Sequence, residues 1–117
     1  MSKVIIAGGR DFVNWKLLLE SMSSAIDDGL EITEIVSGKA RGADTLGERF
    51  ARLVDVPIKE FPADWTKFGK RAGFIRNKQM AEYGDVLVVF WDGVSSGTSN
   101  MITQAKSLNL KIIVVQY

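Results

Sequence analysis

The stretch "DVLVVFWDGVSSGT", Asp85–Thr98, couples an unbroken apolar run to a loop of glycine, serine and threonine. Val86–Phe90 is rich in β-branched residues and shows no alternation, the pattern of a strand buried on both faces. Strands of that kind belong to parallel sheets with helices on each side. Four further apolar runs, Val4–Ala7, Ile35–Val36, Val56–Ile58 and Ile112–Val115, have the same character and leave room for a helix between successive runs. Those intervals carry helical stripes. Trp15, Leu18, Leu19, Met22 and Ile26 form the first, with Gly29 placed to close it. Leu46, Phe50 and Leu53 form a second, and Met101, Ile102, Ala105 and Leu108 a third. Ile75–Tyr83 is a weaker stripe ended by Gly84. Alternating strands and helices with right-handed crossovers predict one Rossmann-like α/β domain over residues 1–117. The expected architecture is a three-layer sandwich around a five-stranded parallel sheet in the order 3-2-1-4-5.

Composition narrows the chemistry. With 46% hydrophobic and 25% charged residues, the chain has the balance of an ordinary globular domain. Its net charge of +1 gives no global attraction to nucleic acid or membrane, so any basic patch must be local. The chain has no cysteine and no histidine, which removes disulfides, thiol catalysis, the commonest general base and the commonest metal ligand. Its start, "MSKVIIAGG", lacks a signal-peptide layout, and no run is long enough to span a membrane. A cytoplasmic location is the expectation.

Open α/β sheets bind ligands at the carboxyl ends of their strands, and the unusual residues fall there. "GGRDF" (Gly8–Phe12) follows the first strand, leaving Arg10 and Asp11 over the rim, with Asp11 otherwise a turn residue. "SGKARGAD" (Ser37–Asp44) follows the second; its glycines admit a ligand to the backbone, and Lys39 and Arg41 offer charge-assisted contacts. The bland alternative is a glycine turn with Asp44 capping the next helix. "WDGVSSGT" (Trp91–Thr98) follows the fourth and offers N–H groups and hydroxyls to a phosphate, or simple capping by Ser96 or Thr98. Gly93–Gly97 also matches the nucleophile-elbow pattern, but an elbow serine needs a base that this chain lacks. "WTKFGKRAGFIRNKQM" (Trp65–Met80) interleaves Lys67, Lys70, Arg71, Arg76 and Lys78 with Trp65, Phe68 and Phe74. That pattern suits base stacking and phosphate neutralisation, or else a solvated helix face above core aromatics.

Together "GGRDF", "SGKARGAD", "PADWTKFGKRAGFIRNKQM" and "DVLVVFWDGVSSGT" resemble, in order and spacing, the small cpYpsA-related branch of the SLOG superfamily found in bacteria and phages. The resemblance covers nearly the whole chain. It implies a Rossmann-like fold, a pocket for a nucleotide or nucleotide-derived ligand, and a homo-oligomer. More distant relatives include the Lonely-guy phosphoribohydrolases and the DNA-processing protein of transformation. Two positions depart from the pattern. Lys39 stands where the small branch usually has glycine, and Met101 stands where the phosphoribohydrolases place a catalytic glutamate, with Arg76 and Gly97–Thr98 as the counterparts of their other motif residues. Methionine supplies neither acid nor base.

The expected site therefore comprises Gly8, Gly9 and Arg10 from the first loop, and Ser37, Gly38, Lys39, Arg41, Gly42 and Asp44 from the second. Arg76 and Asn77 join from the long segment, with Asp92, Gly93, Ser95, Gly97 and Thr98 from the last loop. The expected function is binding of a nucleotide-derived small molecule, ADP-ribose-like or a cyclic nucleotide, by a sensor or sequestering protein. No cofactor is expected, and Mg²⁺ only with a phosphate ligand. The alternatives are an N-glycosidase with Asp11 or Asp44 as the acid, and single-stranded nucleic-acid binding through Lys67–Lys78. Truncating Arg41 or Arg76 is expected to weaken binding with little change in stability.

Overall fold

The computed structural model describes residues 1–117. Five strands, β1 (Ser2–Gly8), β2 (Ile32–Ser37), β3 (Ile58–Glu60), β4 (Val86–Trp91) and β5 (Lys111–Gln116), form one all-parallel sheet in the order β3-β2-β1-β4-β5. This is the expected Rossmann-like order. The helices between them are α1 (Trp15–Asp27), α2 (Ala43–Val54), the short α3 (Trp65–Phe68), α4 (Ala72–Tyr83) and α5 (Ser96–Ser107), with a 3₁₀ turn at Gly69–Arg71.

The central strands explain the missing alternation. Val4, Ile6, Ile35, Val86, Val88 and Phe90 point to one face, where Leu18 and Met22 of α1 and Phe50 and Ala51 of α2 cover them. Ile5, Ala7, Val36, Leu87 and Val89 point to the other, beneath Met80 and Ala81 of α4 and Met101, Ile102 and Ala105 of α5. Each face therefore removes an apolar layer from water, and the two layers supply the main drive for folding. After β3 the chain crosses back over β1 to begin β4. The order thus reverses between β1 and β4, and the two diverging chain ends leave a crevice there.

Three details differ from the sequence pattern. Helix α2 is rotated away from the expected stripe, leaving Leu53 64% exposed. Gly47 faces the sheet instead, where an added Cβ would lie 2.8 Å from the Ile6 side chain, so small residues set the approach of helix to sheet. Ile26 and Leu108 are likewise exposed, and Ala25 takes the buried place in α1. The third strand begins at Ile58 rather than Val56. Pro57 has no N–H to give the ladder, although its carbonyl still accepts from the Ile35 N–H at 3.0 Å. No helix is long and apolar enough to cross a membrane.

Candidate functional site

The loops after β1 and β2 are locked together at Gly42. Its φ of 76° favours glycine, and an added Cβ would lie 2.2 Å from the Gly9 carbonyl oxygen. That carbonyl accepts from the Phe12 N–H at 3.2 Å and from the Ala43 N–H at 3.1 Å, tying the first loop to the start of α2. Phe12 stacks on Phe90 with ring centroids 4.6 Å apart, so its neighbours Arg10 and Asp11 are left on the exposed rim. The Tyr117 hydroxyl donates to Asp11 Oδ1 at 2.6 Å, and burial followed by that bond pushes the phenol pKa up.

The second loop changes the expected roles of three residues. Ser37 turns inward, donating to Glu48 Oε2 at 2.6 Å and accepting from the Lys39 N–H at 3.1 Å; it lines no cavity described below. Lys39 has φ 61°, a left-handed backbone that glycine adopts at least cost. Its ammonium pairs with Glu48 at 3.0 Å and Glu60 at 3.1 Å, and the hydrogen bonds to those carboxylates hold its pKa above the ordinary value. Asp44 is not a cap. It lies inside α2, 4% exposed, with Gly42 at the N-cap, and its carboxylate accepts from the Ala40 N–H at 3.2 Å. Burial pushes its pKa up to about 6, against the opposing Ala40 N–H and the charge of Arg76, while Glu48 adds to the rise.

Arg76 and Asn77 knit the remaining parts together. Arg76 donates from its guanidinium to the Gly38 carbonyl and from Nε to Asn77 Oδ1 at 3.1 Å. Asn77, buried, donates to the Gly97 carbonyl at 3.2 Å and to Asn100 Oδ1 at 3.1 Å. One chain of hydrogen bonds thus runs from the second loop through α4 to the first turn of α5. Burial holds the Arg76 pKa below its ordinary value, with Asp44 opposing and Arg10 contributing. These contacts revise the expectation that Arg76 matters to binding alone. The loop before α5 is shaped by Asp92, whose Oδ1 accepts from the Val94 N–H at 2.9 Å and the Ser95 N–H at 2.8 Å. Those donors, Ser95 first, hold its pKa below the usual range. The Ser95 side chain accepts no backbone N–H of the first turn, its Oγ accepting instead from the Thr98 hydroxyl at 3.3 Å, and the leading N–H groups of α5 have no side-chain cap.

These parts enclose a cleft of about 490 Å³ at the carboxyl ends of β1 and β4. Of the expected residues, Gly8, Gly9, Arg10, Asp44, Arg76, Asn77, Asp92, Ser95, Gly97 and Thr98 line it, together with Asp11. Gly38, Lys39 and Arg41 line a smaller cavity beside it. Ser37, Gly42 and Gly93 line neither; Gly42 acts in loop packing and Gly93 in a turn with φ 86°. Ala7, Met80 and Met101 give the cleft apolar lining, and Met101, 1% exposed, belongs to the core beneath α5. Trp65, Lys70, Gly73 and Phe74 line it as well; the sequence pattern marked Trp65, Lys70 and Phe74 as a basic, aromatic segment but did not place them in this site. Trp65 and Phe74 are half-exposed. The excess length of Pro62–Asn77 was the available signal.

The YspA, cpYpsA-related SLOG family model matches residues 2–68, from β1 to the end of α3. Gene 61 protein of Mycobacterium phage D29 is 29% identical over 119 residues, an alignment spanning 97% of this chain and 95% of the phage protein. No solved structure matches the chain.

Proposed function

The chain belongs to the YspA, cpYpsA-related SLOG family, and from that premise we propose that it binds a nucleotide-derived small molecule in the cleft, as a sensor or sequestering protein. The observation carrying this reading is the content of one cleft. Open N–H groups of α5 and the guanidinium groups of Arg10 and Arg76 suit a phosphate, while Trp65 and Phe74 offer half-exposed rings to a base. The volume lies within the usual range for small-molecule sites. The aromatic and basic residues of Trp65–Met80 support this reading over nucleic-acid binding, because Trp65, Lys70, Phe74 and Arg76 all line the cleft.

Gly97 provides a test. A methyl added there would meet no protein atom within 4 Å, yet the residue lines the cleft inside a helix, where glycine is costly relative to alanine. Gly97→Ala is expected to leave the melting temperature unchanged or slightly raised. It should weaken binding of AMP about tenfold or more, since an intruding methyl costs about 1–3 kcal/mol. Calorimetric titration of both proteins checks this, and equal affinities would remove the phosphate from the first turn of α5.

A second reading, N-glycoside cleavage, is favoured only by Asp44, a buried carboxyl in the cleft whose pKa is raised to about 6. Asp11 is the weaker acid candidate because it already accepts from Tyr117. Chromatography of the titrated AMP distinguishes the readings: binding predicts intact nucleotide, whereas catalysis releases free adenine, and only while Asp44 is present.

A further inference from the structure

Three cations and three carboxylates line the cleft: Arg10, Lys70 and Arg76 against Asp11, Asp44 and Asp92. An anion entering so balanced a space is favoured only if the carboxylates are held away from it or their charge is drawn onto donors. Two of them are answered close to where they stand in the chain. Asp92 accepts from the Val94 and Ser95 N–H groups, and Asp44 accepts from the Ala40 N–H and feels the charge of Arg76. Asp11 is different. It is exposed and has no cation within 4 Å, and its one hydrogen-bond donor is the Tyr117 hydroxyl at 2.6 Å.

Tyr117 does not itself line the cleft. It follows β5, which lies beyond β4 from β1, and its N–H donates to the Trp91 carbonyl at 3.1 Å. From there the ring tilts against Phe12, with centroids 4.9 Å apart, and the hydroxyl reaches over Gly9, where an added Cβ would lie 1.8 Å from it. The same Cβ would lie 2.7 Å from Asp11 Oδ1, so the glycine leaves the space in which phenol and carboxylate meet. We propose that Tyr117 is a positioning residue of the cleft: it holds the Asp11 carboxylate back against Gly9, so that this charge does not oppose an entering anion. The proposal rests on the nucleotide reading above and adds a residue outside the cleft that sets its affinity for the charged part of a ligand. Without the hydroxyl, Asp11 keeps its charge and regains the rotamers that the bond now denies it.

The experiment is a calorimetric titration with AMP of the wild type, Tyr117→Phe, Asp11→Asn and the double variant, with a thermal melt of each to establish folding. Tyr117→Phe keeps a ring against Phe12 and is expected to weaken AMP binding about fivefold at low salt, the upper range for an exposed charge, with the loss shrinking as salt screens it. Asparagine at position 11 still accepts from the phenol but carries no charge. Asp11→Asn should therefore bind AMP more tightly than the wild type, and adding Tyr117→Phe to it should cost nothing further. A tyrosine that serves the fold alone would cost the same in both backgrounds. That equality, or an undiminished affinity in Tyr117→Phe, would overturn the proposal while leaving nucleotide binding in place. Weaker binding by Asp11→Asn would overturn it too, because the carboxylate would then be a contact of the ligand. No binding of AMP by the wild type would overturn the nucleotide reading and this proposal with it.

Discussion

Asp44→Asn is expected to stabilise the protein at neutral pH, and to do so less and less as the pH falls toward 4. The carboxyl is 4% exposed, and burial raises its pKa from 3.8 to about 6. Between those values the folded state binds more protons than the unfolded state, so stability falls as pH rises through that window. The contribution of protonated Asp44 is present in full below about 3.8 and lost above about 6. A shift of roughly two units corresponds to about 3 kcal/mol, which the folded protein lacks at pH 7. Asparagine keeps an oxygen for the Ala40 N–H and carries no charge to bury. Urea unfolding of both proteins at pH 4.5, 6 and 7.5 should show the advantage of the variant growing across the series. A constant difference would mean that Asp44 is solvated when the protein is folded.

The second large effect belongs to Arg76→Ala. Truncation leaves the Gly38 carbonyl without the donor it now has, frees Asn77 Oδ1, and removes the positive charge that moderates Asp44. A buried acceptor without a partner costs about 1–3 kcal/mol, so a loss near 3 kcal/mol is expected, equivalent to a fall of about 10 °C in melting temperature. AMP binding should vanish as well, because the guanidinium lines the cleft. Arg76→Lys separates the roles. A lysine ammonium reaches one acceptor as a point charge but does not reproduce the planar fork, so it should recover part of the stability and little of the binding. Thermal melts with and without AMP read both quantities. Unchanged stability in Arg76→Ala would show that the bond to Gly38 contributes nothing net.

The fold was legible because its central strands are buried on both faces, which writes itself into the sequence as unbroken Val and Ile runs. Helix rotation was less so. Leu53 outweighs Gly47 in any apolar count, but the close approach to Ile6 makes the small residue face the sheet. In the site, glycine-rich loops after β1, β2 and β4 were readable from composition and position alone. The burial of Asp44 was not, since an aspartate beside a glycine at a helix start looks like a cap. Nor was the inward turn of Ser37, which depends on Glu48 one helical face away. Trp65 and Phe74 stood out as aromatics among cations, but only the packing of α3 and α4 brings them to the cleft.

The most direct measurement is a nuclear magnetic resonance titration of ¹⁵N-labelled protein with AMP. A nucleotide seated in the cleft predicts shifts concentrated in the amides of Gly8–Asp11, Gly73–Asn77 and Ser96–Thr98 and in the Trp65 indole, with the amino ends of the strands unmoved. Shifts confined to the opposite edge of the sheet, or none at millimolar AMP, would contradict it.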